Sequence, residues 1–281
     1  MPLPTSRISI FADGLDHPEC VTLHPDSTVW AGGEAGQIYR ISADGSQIDE
    51  VTRMQGGFIL GLAIHRSGRW LIACDLKNHC LWRVDTRTGR HALFAKMAGQ
   101  HEILIPNSVC FDSSERIFVS ESGLPKKRLG KLMVFNYEGR GEVWHQGPFN
   151  FANGIALDPK EKHLYVVESF LPGISRVEIR ADGSAGRRQL VTRLPKTIPD
   201  GIAFNHRGVL HATCYTPTRI YRIVNGKPAI LIDDWETHLL AFPTNIAFAS
   251  RDELLVANLG RWHISRIRLG KVSRNRRAKR L

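Results

Sequence analysis

Residues 151–169, Phe151-Ala-Asn-Gly-Ile-Ala-Leu-Asp-Pro-Lys-Glu-Lys-His-Leu-Tyr-Val-Val-Glu-Ser169, decide the fold. A polar residue, Asn153, precedes Gly154 and a short apolar run; a turn of Asp, Pro and Lys follows, and then a second apolar run, Leu164-Tyr-Val-Val167. Both runs are too short and too continuous for an amphipathic helix, and their β-branched and aromatic content makes the stretch a β-hairpin. Five more copies open at Glu19-Cys-Val-Thr-Leu23, Leu60-Gly-Leu-Ala-Ile64, Asn107-Ser-Val-Cys-Phe111, Asp200-Gly-Ile-Ala-Phe204 and Thr244-Asn-Ile-Ala-Phe248. With Asn153, the six opening residues lie 41, 47, 46, 47 and 44 residues apart.

A period of about 40 to 50 residues with four strands per unit marks a propeller. Third strands follow the hairpins, as in Gln37-Ile-Tyr-Arg-Ile41, Cys80-Leu-Trp-Arg-Val84 and Arg219-Ile-Tyr-Arg-Ile223, and segments such as Gln189 to Thr192 supply the fourth. The reading is all-β, a single six-bladed β-propeller over residues 1–269, with 270–281 as a basic tail. Ile8-Ser-Ile-Phe11 is expected to complete the last blade, near Ile264 to Leu269, and so close the ring without free edges. The connections Ala98 to Ile105 and Leu124 to Gly130 are the two candidate lids over a pocket.

Composition agrees with one compact domain. A chain of 281 residues would ordinarily hold about two domains, yet no Pro/Ser-rich linker interrupts it and the repeat fills its length. No apolar run reaches the roughly 18 residues of a membrane span, and the first 15 residues lack a signal-peptide core, so a cytoplasmic protein without a membrane partner is expected. The five cysteines include no C-x-x-C pair, and Cys20, Cys74, Cys110 and Cys214 sit in or beside apolar runs, which points to buried thiols. Removing the six positive charges of residues 270–281 from the net +11 leaves +5. The basic excess is mostly a solvated tail, and contact with nucleic acid is the minor reading.

First strands of a propeller line its central channel, so the opening residues Glu19, Leu60, Asn107, Asn153, Asp200 and Thr244 form a ring around the axis. About fifteen residues on, the hairpins return to the same end with Glu34, Asp75, Ser122 with Glu121 beside it, Glu168, Tyr215, and Leu259 with Asn258 beside it. Two carboxylates and two amides facing one axis suit a hard divalent cation, Ca²⁺ first, with Mg²⁺ or Mn²⁺ as alternatives. Zn²⁺ ranks lower because the ring has no His or Cys. The competing reading is that Asn and Asp before Gly simply start hairpins through local turn hydrogen bonds.

Pro18-Glu19-Cys, Asn153-Gly-Ile-Ala-Leu-Asp158, Ile198-Pro-Asp200-Gly-Ile-Ala-Phe204 with Ala212-Thr-Cys-Tyr215, and Pro243-Thr-Asn-Ile-Ala-Phe248 resemble the SMP-30/gluconolactonase/luciferin-regenerating family. The resemblance covers nearly the full length, although residues 151–169 alone look equally like strictosidine synthase-like proteins. It implies a six-bladed propeller that holds a divalent metal and hydrolyses lactones or related esters, with Glu19, Asn153 and Asp200 as direct ligands and Asn107 near metal and substrate. Sugar-lactone hydrolases of the family often carry Arg two residues before that asparagine, where this chain has Ile105. A less polar lactone or ester is therefore expected, with Phe58, Ile59, Leu60, Phe170 and Trp262 as apolar walls.

A bound cation can polarise a lactone carbonyl and stabilise the oxyanion formed when water attacks. Asp200 is the expected base; against this, a cation lowers the pKa of a carboxylate that holds it, and activation of water by the ion itself is the alternative. Asn107, His101 and Glu121 are the candidate substrate contacts, His101 because it precedes Asn107 on the longest connection between blades. Phosphotriester or aryl ester hydrolysis would use the same centre. A propeller serving only as a binding platform is the non-enzymatic alternative. No Gly-x-Ser-x-Gly elbow occurs, and Gly32-Gly-Glu-Ala-Gly36 lacks the helix a phosphate loop needs.

Overall fold

The computed structural model describes residues 1–125 and 127–270; the basic positions 271–281, and Lys126 of the Lys126-Lys127-Arg128 cluster, lie outside the described residues. Apart from a single 3₁₀ turn at Thr5–Arg7, the regular structure is all β. After β1 (Ile8–Asp13), the first blade is β2 (Cys20–Leu23), β3 (Val29–Gly32), β4 (Gln37–Ile41) and β5 (Ile48–Arg53). The second is β6 (Ile59–Ile64), β7 (Trp70–Asp75), β8 (Cys80–Asp85) and β9 (His91–Ala95). A small hairpin of β10 (Met97–Ala98) and β11 (His101–Glu102) leads into the third blade, β12 (Pro106–Phe111), β13 (Ile117–Glu121), β14 (Gly130–Phe135) and β15 (Gly141–Phe149). The fourth is β16 (Ala152–Leu157), β17 (His163–Glu168), β18 (Gly173–Ile179) and β19 (Ala185–Arg193), and the fifth is β20 (Ile198–Phe204), β21 (Leu210–Thr216), β22 (Arg219–Val224) and β23 (Lys227–Asp233).

The sixth blade has three strands of its own, β24 (Pro243–Ser250), β25 (Glu253–Asn258) and β26 (His263–Arg268), and takes β1 as its outer strand. Ile8 pairs with Ile267 and Asp13 with His263, so the two ends of the described chain close the ring, as the position of Ile8 to Phe11 predicts. The six first strands pack in sequence, β2 on β6, β12, β16, β20 and β24, and β24 returns to β2. This is a six-bladed propeller with the first strands around the axis.

The continuous apolar runs follow from this packing, because each blade buries both faces against its neighbours. Val166 packs into the layer shared with the third blade and Val167, facing the other way, into the layer shared with the fifth. Six hydrophobic layers result, one for each pair of adjacent blades. All five cysteines are free thiols; Cys20, Cys74 and Cys214 are buried, as is Cys80 in β8, which sequence patterning leaves unplaced, while Cys110 is partly exposed.

At the axis the strands approach too closely for side chains of ordinary size. A Cβ on Gly154 would lie 2.6 Å from the Asp200 carbonyl oxygen, and one on Gly201 would lie 2.4 Å from that of Thr244. The Asn-Gly and Asp-Gly pairs are thus required by contact between neighbouring first strands, not by turn geometry. Pairing is also interrupted at this level, between Ile59 and Gly61, Pro106 and Val109, Ala152 and Ile155, Pro199 and Ile202, and Pro243 and Asn245. The opening residue of five blades therefore sits at a β-bulge, a device that re-aims side chains out of the regular pleat.

Candidate metal centre

Glu19, Asn153 and Asp200 come from the first, fourth and fifth blades, and the structure brings them into one buried cluster at the head of the channel. Asn153 and Asp200 are 6% and 9% exposed. Glu19 keeps some surface as a residue, but its Oε2 is closed off from solvent and has no hydrogen-bond partner among the described residues. Burial above all, and the Asp200 carboxylate next, push Glu19 well above the usual carboxylate range, with the neighbouring Thr244 hydroxyl acting in the opposite sense. Burial likewise pushes Asp200 up to about 8, partly offset by the Asn153 amide. Two carboxylates that repel each other in a desolvated site resist joint ionisation unless a positive charge joins them.

The neighbours orient these groups. Asn153 Nδ2 donates to Ser169 Oγ at 3.2 Å, and Ser169 Oγ donates to the Pro199 carbonyl at 2.7 Å, one residue before Asp200. The Thr244 hydroxyl donates to the Glu19 carbonyl at 2.8 Å, which ties the sixth blade to the first. Tyr215 stands in the field of both acids: burial first, then Glu19 and Asp200, push its phenol up. Asn107 is buried on β12, and its side chain makes no hydrogen bond among the described residues.

The residues returning at the same end behave differently. Asp75 accepts the Phe58 and Asn78 N–H groups at 3.0 and 3.1 Å and the Trp82 indole N–H at 2.9 Å. Glu121 accepts the N–H groups of Leu104 and Ile105 at 3.1 and 2.8 Å. Glu168 accepts the Asn150 N–H at 2.9 Å and the Ser175 hydroxyl at 2.6 Å, and also pairs with Arg188. Asn258 Oδ1 accepts the Ala241 N–H at 3.0 Å. These acceptors are spent on the backbone of the connections that enter each first strand. Glu121 thus braces the approach to Asn107.

His101 is not drawn into the cluster. It lies on the β10–β11 hairpin, which packs against β15 and β14, the outer strands of the third blade, and its Nε2 is buried with no hydrogen-bond partner. Ser169 and Tyr215 are the members of the site that motif reading passes over as site residues. Their signal was the repeat itself, since both fall at or beside the returning position of their blades.

The donor set fits a hard divalent cation. Glu19 Oε2 is an orphaned buried acceptor, Asp200 is a second buried carboxylate, and Asn153 and Asn107 add neutral amide oxygens. No group of three His, Cys, Asp or Glu residues gathers around one point among the described residues, so these neutral oxygens would complete the shell.

Comparison with known proteins agrees with this architecture. The family model described as the SMP-30/Gluconolactonase/LRE-like region matches residues 17–259. The chain belongs to this family. Among solved structures, a gluconolactonase from Xanthomonas campestris superposes with a TM-score of 0.80 at 17% identity, over 94% of this chain and 89% of that one. A putative gluconolactonase gives 0.77 at 17% identity, over 93% and 91%. A luciferin-regenerating enzyme gives 0.75 at 14% identity, over 95% of each chain. At these identities the similar structures establish the propeller, while the family assignment rests on the matched sequence. A search among curated proteins gives no match.

Proposed function

We propose that this member of the SMP-30/gluconolactonase/LRE-like family is a divalent-cation-dependent hydrolase of lactones or related carboxylic esters, acting on a small molecule at the centre formed by Glu19, Asn153 and Asp200. The reading rests on one contrast: Asp75, Glu121, Glu168 and Asn258 on the returning strands accept backbone N–H groups, whereas Glu19 Oε2, beside Asp200, is buried with no hydrogen-bond partner among the described residues. An open buried acceptor is destabilising unless something binds there. Oxygen donors of mixed charge favour Ca²⁺, with Mg²⁺ and Mn²⁺ as the nearest alternatives and Zn²⁺ behind them.

When bound, the cation would polarise the substrate carbonyl and stabilise negative charge on its oxygen. The protein groups supply the rest. Asn107, whose amide makes no hydrogen bond among the described residues, is placed to bind the substrate beside the ligands. Asp200 takes a proton from the attacking water as the new C–O bond forms; the ring C–O bond then breaks, and the proton passes to the departing alkoxide to give a hydroxy acid. The Asn153–Ser169–Pro199 chain holds the adjacent amide and backbone in place. Turnover of lactones or aryl esters that is lost with chelator and restored by Ca²⁺, but absent in Asp200→Asn, is the expected result. Undiminished turnover in the chelated protein would refute the proposal.

A further inference from the structure

Two residues before each opening residue, the chain carries His17, Phe58, Ile105, Phe151, Ile198 and Phe242. These positions are equivalent in the repeat, and they sit at the entry to the first strands, five on the connections and Ile198 as the first residue of β20. All six are partly or well exposed, while five of the six residues beneath them are buried. Three of the six are held in the left-handed backbone region: His17 at φ 42°, Phe151 at φ 64° and Phe242 at φ 51°. Bulky residues avoid that region at a cost of about 1 to 2 kcal/mol. Each of the three stacks or packs against another aromatic ring from a returning strand or the loop after it.

Phe242 stacks on Tyr215 with centroids 4.8 Å apart and planes at 21°. Phe151 meets Phe170 edge to face at 5.2 Å, and His17 meets Trp262 at 5.5 Å. Two of these pairs start from the segments that carry the candidate ligands: Tyr215 follows Cys214, the cross-strand partner of Pro199 just before Asp200, and His17, two residues before Glu19, has its Nδ1 3.6 Å from Glu34. Trp262 remains 54% exposed and Phe242 38%, so apolar surface is left open at the end of the channel where Glu19 Oε2 is the ring's only buried acceptor without a partner among the described residues. Backbone strain at large rings beside a polar centre is characteristic of a ligand-contacting surface.

We infer that these rings form an aromatic collar that selects a lactone or ester bearing a bulky apolar substituent, an alkyl chain or an aryl group, over a polyhydroxylated sugar lactone. The inference rests on the hydrolase reading above. The carbonyl sits over the cation ligands and the apolar substituent lies against Phe151, Phe242 and Trp262. The two surfaces divide the work: the polar ring handles the reacting group and the collar handles the rest of the molecule.

The test compares the Ca²⁺-loaded full chain on δ-undecalactone and on glucono-δ-lactone. The expected kcat/KM favours the alkyl lactone by about 100-fold, the order expected when three or four more methylenes are buried. In Phe242→Ala and in Phe151→Gly this ratio should fall about tenfold. Phe151→Gly suits the left-handed backbone, so it keeps the fold, and in both variants a retained Ca²⁺-induced rise in Tm shows an intact centre. A preference for glucono-δ-lactone, or an unchanged ratio in both variants, overturns the collar while leaving the hydrolase standing. Absence of turnover on both lactones, with Ca²⁺ bound, overturns the hydrolase reading and the collar with it.

Discussion

Replacing Asp200 with Asn should reverse its effect on stability according to whether a cation is present. In chelated protein, Asp200 is a buried acid whose folded pKa, about 8, lies above its ordinary value of 3.8. Its contribution is fully present below the unfolded value and is lost as pH rises through the folded one. Chelated wild-type protein should therefore lose Tm steadily between about pH 4 and pH 8, and Asp200→Asn, with no proton to release, should show a flatter profile across that window and melt at or above wild type at its alkaline end. Adding Ca²⁺ at about 100 times its Kd stabilises the protein able to bind it by about 2.7 kcal/mol. For a chain of 281 residues, with an unfolding entropy of about 2.1 cal/mol/K per residue, that is roughly a 5 °C rise. Wild type should show this rise, more strongly at higher pH because the proton and the ion compete for the same oxygens. Asp200→Asn should show almost none. Differential scanning calorimetry at several pH values, with EDTA or with Ca²⁺, reads both effects. A variant that keeps the full Ca²⁺ shift, or that melts far below wild type in EDTA at alkaline pH, would refute the reasoning.

Three further outcomes follow from the packing. Ser169→Ala removes the hydroxyl between Asn153 and Pro199 and should weaken Ca²⁺ affinity about 10- to 100-fold, as loss of an outer-sphere support does; calorimetric titration measures it, and an unaltered Kd contradicts the relay. Gly154→Ala places a methyl group 2.6 Å from the Asp200 carbonyl and should destabilise by about 1 to 3 kcal/mol, through forced backbone shifts; denaturant unfolding checks the loss. Arg188→Ala leaves Glu168 buried without its cation partner and should cost about 3 to 5 kcal/mol, whereas the double variant Arg188→Ala/Glu168→Gln should recover much of it.

The propeller was legible because the repeat carries both strand order and radial position. Once Asn153 and Asp200 are seen to occupy the same phase of a sixfold repeat, their convergence is a matter of geometry, and the pairing of Ile8–Asp13 with the last blade follows from the need to close the sheet. What the repeat pattern did not reveal is that Glu121, read as a substrate contact, is committed to backbone while Asp200 is not. Both are acidic, and both are buried. The difference lies in whether a connection from elsewhere turns an N–H group toward them. Asn150 does so for Glu168, as Leu104 and Ile105 do for Glu121, and no local pattern encodes that path. The segment from Met97 to Glu102 escaped for another reason: a hairpin with two-residue strands is too short to show any period. His101 looked close to the mouth in sequence, yet this hairpin holds it against the outer strands of the third blade.

Sharing the sixth blade between the two ends of the chain has a temporal consequence. Strand β1 is synthesised well before β26, its partner, so the ring can close only after the last hairpin has been made. Only at that moment do residues from the first, fourth and fifth blades meet around one axis. An ion bridging them would act as a latch on the finished ring, and its uptake would report that assembly is complete.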